Sequence, residues 1–76
     1  RKRRLTLKET SELAALPDAI DALERARDGA FASLADPAVL RDGAAIAAAK
    51  ATLAAIESEL SARTARWEEL ELIAAS

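Results

Sequence analysis

The stretch Ile46–Ala74, IAAAKATLAAIESELSARTARWEELELIA, decides the fold. Its larger side chains fall at Ile46, Ala49, Leu53, Ile56, Leu60, Arg63, Trp67, Leu70 and Ala74, spaced alternately three and four residues apart. Sustained 3-4 spacing lays one stripe along an α-helix and is the mark of a coiled-coil seam. Upstream, Leu13, Leu16, Ile20, Leu23, Arg27, Ala30 and Leu34 repeat the rhythm. Two seams joined by fewer than ten residues must fold back on each other, because a parallel pair needs a long crossover. The expectation is all-α, an antiparallel two-helix coiled-coil hairpin.

Composition agrees. Hydrophobic residues make up 51% of the 76, most of them alanine, with two Gly and two Pro. Alanine has the highest helix propensity, and such a composition signals long helices. The chain starts on Arg1 and has no methionine, which suggests a piece of a longer protein. Without cysteine it has neither disulfide nor thiolate ligand. No apolar run nears the ~20 residues that span a bilayer, so no membrane partner is expected.

Local signals set the boundaries. Residues 1–5 form the end of a basic linker, and 6–76 a single hairpin domain. Thr6-Leu7-Lys8-Glu9 fits a capping box, in which Thr6 and Glu9 each satisfy the other's amide. A short helix of about 7–16 should start there and pack at the open end, with Leu5 and Leu7 over Trp67, Leu70 and Ile73. Pro17 predicts a break and a second helix of about 17–35. Asp36-Pro37 opens a tip over 36–42, and Asp42 is the expected N-cap of a helix of about 43–74. Antiparallel layers keep paired residue numbers at a constant sum. A sum of 83, with Leu23 on Leu60 and Leu16 on Trp67, is preferred to 76. Arg27 and Arg63 interrupt the seams and are expected to lay their methylenes along the interface with the guanidinium outside.

Catalytic chemistry is not encoded. There is no His or Cys, which removes the usual general base and thiol nucleophile. Glu68, Glu69 and Glu71 splay around an exposed helix face. Neither Gly29 nor Gly43 belongs to a phosphate-cradling Gly-x-x-x-x-Gly-Lys run. No metal or cofactor site is expected in this stretch.

Charge is uneven. The first eight residues carry Arg1, Lys2, Arg3, Arg4 and Lys8 with no acid, while the rest has six bases against thirteen acids. The run either neutralises nucleic-acid phosphates by releasing counterions or serves as a solubilising linker. Arg63 and Arg66 extend the patch if they emerge on the same side. With Trp67 in the seam, base stacking is scarce, and binding would be backbone-directed and salt-sensitive.

The order of short motifs carries a family resemblance. Leu5-Thr6-Leu7-Lys8-Glu9, Glu12-Leu13-x-x-Leu16-Pro17 and Ile20-x-x-Leu23-Glu24 resemble the opening of the C-terminal domain of Uup-type ABC-F ATPases. Leu34-Ala35-Asp36-Pro37 resembles that domain's tip, and Arg66-Trp67-Glu68-Glu69-Leu70-Glu71 its closing segment. Hairpin arms also end proteins such as valyl-tRNA synthetase, but the closing segment favours the ABC-F resemblance. The resemblance implies a cytoplasmic bacterial parent with two ATP-binding cassettes that use ATP and magnesium. It also implies a DNA-binding coiled coil, with DNA or ribosomal or other RNA as partner beside the parent's cassettes. The net acidic body departs from a strongly basic hairpin. It leaves Arg1, Lys2, Arg3, Arg4, Lys8, Arg63 and Arg66 as candidate phosphate contacts. A protein-interaction arm, including a homodimer, and a rigid spacer are the competing expectations.

Overall fold

A computed structural model describes residues 3–76 as three helices: α1 (Leu7–Ala35), α2 (Pro37–Leu40) and α3 (Gly43–Ala75). The capping box forms as expected: the Glu9 amide donates to Thr6 Oγ1 at 3.1 Å, and the Thr6 amide to Glu9 Oε1 at 3.0 Å. At the far end Pro37, lacking an N–H, cannot continue α1. Asp36 closes α1 through its amide to the Ser33 carbonyl at 3.2 Å. Its carboxylate then accepts from the Ala38 amide at 2.9 Å, starting the single turn of α2. Asp42 caps α3, its Oδ1 accepting from the amides of Ala44 at 3.0 Å and Ala45 at 3.2 Å.

α1 and α3 pack along each other as an antiparallel hairpin 58 Å long and about 17 Å across. Ile20 shares a groove with Thr64 and Trp67, and Glu24 and Arg27 share one with Glu57 and Leu60. These pairs follow the register summing near 83, not 76. Every seam position expected on α1, from Leu13 to Leu34, is at least half-buried.

Three expectations need correction. The break at Pro17 is absent, since α1 runs unbroken through it. A mid-helix proline costs about 3 kcal/mol, but Leu13 and Leu16 before it and Ile20 and Leu23 after it all turn toward α3. Packing on both sides of Pro17 therefore holds the two segments in one helix. On α3, Thr64 rather than Arg63 turns inward. The stripe keeps its expected positions on either side, at Leu60, Trp67 and Leu70, so the change is confined to one turn, where 3.6 residues per turn puts both neighbours about equally near the seam. Finally, Leu7 is 88% exposed and does not cover the open end. Leu5 does, sharing a groove with Ile73 and Ala74, so Ile73 rather than Ala74 is half-buried.

The core is thin. Among the described residues only Leu16, Ala30 and Leu70 are buried, and Leu70 alone is fully enclosed. The chain exposes 5474 Å², where a compact monomer of its mass would expose about 4,500 Å².

Candidate nucleic-acid interface

Of the described candidates, Arg3, Arg63 and Arg66 already have carboxylate partners, and Arg3 and Arg66 come together at the open end of the hairpin. Arg3 makes a two-pronged contact with Glu9, Nη1 donating to Oε1 at 3.0 Å and Nη2 to Oε2 at 2.7 Å. Arg66 does the same with Glu12 across the helix pair, Nε donating to Oε2 at 2.7 Å and Nη2 to Oε1 at 2.9 Å. Its Nη1 also donates to Glu69 Oε1 at 2.5 Å, and Nη2 lies 3.7 Å from Glu9 Oε2. Two guanidinium groups and three carboxylates thus form one network. It ties the N-terminal approach, the first two turns of α1 and the last third of α3 together.

The planar guanidinium fork matches a carboxylate at two points, which makes this pairing more directional than a lysine contact. The side-chain hydrogen bond from Arg3, followed by the backbone bond from Thr6, lowers the Glu9 carboxyl from 4.5 to about 2. The Glu12 carboxyl is held below its ordinary value by the hydrogen bond from Arg66, and Arg66 is raised in turn chiefly by Glu12. Arg3 is raised by its bond to Glu9. Arg3, Glu9, Glu12 and Arg66 therefore stay charged at neutral pH.

The remaining candidates are scattered. Arg63 is exposed and reaches back to Glu59 at 3.2 Å, the (i, i+4) partner on its own helix. It shares a groove with Arg66, Glu12 and Leu16, so both arginines do emerge on one flank. Arg4 lies by the end of α3, in a groove with Ile73 and Ser76, and Lys8 is exposed on the first turn of α1. Among the described residues neither Arg4 nor Lys8 is in an ion pair. Arg1 and Lys2 lie outside the described residues. The Glu12–Arg66 pairing, 54 residues apart, was not anticipated; only the register and rotation of the two helices reveal it.

Among the described residues no three His, Cys, Asp or Glu side chains come together as metal ligands, and no helix is long and apolar enough to cross a membrane.

Residues 4–72 match the family described as the ABC transporter C-terminal domain, and the chain belongs to that family. No curated protein and no solved structure matched the chain.

Proposed function

We propose that this chain is the non-catalytic C-terminal domain of a Uup-like ABC-F ATPase in the bacterial cytoplasm. On this reading it binds nucleic acid, DNA foremost, by its basic N-terminal end. The parent's ATP-binding cassettes, with ATP and magnesium, lie outside this sequence. The observation that carries the reading is the family match over residues 4–72, set beside the run of bases at its N-terminal edge.

The ion pairs refine which bases are available. Arg3 and Arg66 would have to leave Glu9 and Glu12 before meeting a phosphate, and Arg63 would have to leave Glu59. Among the described bases that leaves Arg4 and Lys8, and with Arg1 and Lys2 of the same run they make four chief contacts. Four neutralised phosphates at ~0.9 each give a slope of log K against log salt no steeper than about −4. Titrating the chain with duplex DNA and structured RNA at several salt concentrations tests this. Replacing the four bases with Ala should abolish binding; undiminished binding by that variant would refute the assignment.

A protein-interaction arm is the second reading, favoured by the exposure of Leu7, Phe31, Leu40 and Leu72. Sedimentation at micromolar concentration tests its homodimer form, and a strict monomer would count against that form.

A further inference from the structure

The two flanks of the hairpin differ in chemistry. One carries Arg63 and Arg66 beside Glu12. On the other, three grooves merge into one, because Trp67 borders two of them, and Glu24 and Glu68 each border two. The floor is largely apolar, with Pro17 and Ile20 from α1 and Leu60, Trp67 and Leu72 from α3, interrupted by the half-buried Thr64. From Glu57 to Ala75 it follows α3 for about 27 Å at 1.5 Å per residue, the length of about five helical turns.

Its rim is acidic. Glu24, Glu57, Glu68 and Glu71 border the groove, with Arg27 as the one base among the described residues. Among the described residues none of the four carboxylates is in an ion pair, whereas Glu9, Glu12, Glu59 and Glu69 all are. An aromatic side chain in a groove is the usual anchor of a helix-in-groove contact, and an unpaired charged rim selects the partner's sign. Phosphate would be repelled here.

We infer that the Trp67 flank is a docking groove for a basic amphipathic helix of another protein. Its apolar stripe lies along Ile20, Leu60, Trp67 and Leu72, and its Lys or Arg side chains meet Glu24, Glu57, Glu68 and Glu71. This surface is separate from the basic N-terminal end and does not depend on nucleic-acid binding.

Trp67 is the only tryptophan, so its fluorescence reports the groove directly. The probe is an 18-residue Leu/Lys peptide with leucines at helical 3-4 spacing; a Leu/Glu peptide of the same pattern is the control. The Leu/Lys peptide should shift Trp67 emission to the blue and saturate, while the Leu/Glu peptide should not. Glu24→Gln with Glu68→Gln should weaken binding about threefold to tenfold, the range two surface charge pairs command. Asp18→Asn with Glu59→Gln removes the same charge without touching a residue that borders the groove and should leave affinity unchanged. Equal losses in the two double variants, binding of the Leu/Glu peptide, or no emission change would overturn the inference. So would a concentration-dependent blue shift of the chain alone accompanied by dimer sedimentation, since that gives the groove to a second copy.

Discussion

Leu70→Ala and Leu72→Ala put the thin core to a direct test, because the two leucines are two residues apart on α3 and opposite in environment. Leu70 is fully enclosed, whereas Leu72 is 72% exposed. Truncating a buried leucine costs about 2–5 kcal/mol, the lost transfer energy plus the cavity left behind. A domain of this length has a total stability on the order of 4–11 kcal/mol. With three buried side chains to share the load, little nearby packing can collapse into the space. In a domain of 60–100 residues each kcal/mol moves Tm by about 4–8 °C, so Leu70→Ala should lower Tm by roughly 8–40 °C. Leu72→Ala should stay within about 0.5 kcal/mol of the parent chain. Thermal and urea unfolding followed by circular dichroism at 222 nm reads both. Equal losses at the two positions, or a Leu70→Ala variant as stable as the original, would refute the helix rotation on which the whole arrangement rests.

Three further outcomes are expected. Gly29 lies inside α1 with nothing within 4 Å of an added Cβ, so Gly29→Ala should stabilise by about 1 kcal/mol in urea unfolding. Thr6→Ala removes the cap of α1 and should cost about 1 kcal/mol, with faster amide exchange confined to the first turn. Glu9 and Glu12 both titrate below their ordinary range in the folded chain. Their contribution is therefore complete above about pH 5 and drains away as pH falls toward 2, where Glu9 takes up its proton. The urea midpoint should drop across that window, and Glu9→Gln should flatten the drop; an unchanged slope would remove Glu9 from the network.

What could be read from sequence was chemistry settled within a few residues. Thr6 with Glu9, Asp36 before Pro37, and Asp42 all act on amides two or three positions away, so their roles follow from spacing alone. The α1 stripe was equally legible, because its large side chains leave one face to bury. Pro17 was misread since its local cost is plain in sequence while the packing on both sides of it is not. Thr64 takes the place of Arg63 because, in the turn between Leu60 and Trp67, both lie about equally near the stripe and a seven-residue count does not choose between them. Arg66 was the instructive case for the site. Its charge marked it as a phosphate contact, and only the fold shows Glu12 and Glu69 already around it. The unpaired carboxylates beside Trp67 were visible as charges but not as a rim, because Glu24 and Glu57 come from different helices.

The chain enters and leaves the hairpin at one end, where Arg4 and Leu5 lie beside Ile73 and Ser76, while Asp36 to Asp42 turn at the other. The stalk between is about 50 Å of helix, stiffened by side-to-side packing and clamped at its foot by Arg3 and Arg66. Such a shape is a lever. A tilt of about 10° at the clamp would swing the tip through roughly 9 Å over that length. Small rearrangements at the foot would reach Phe31 and Leu40 as large displacements.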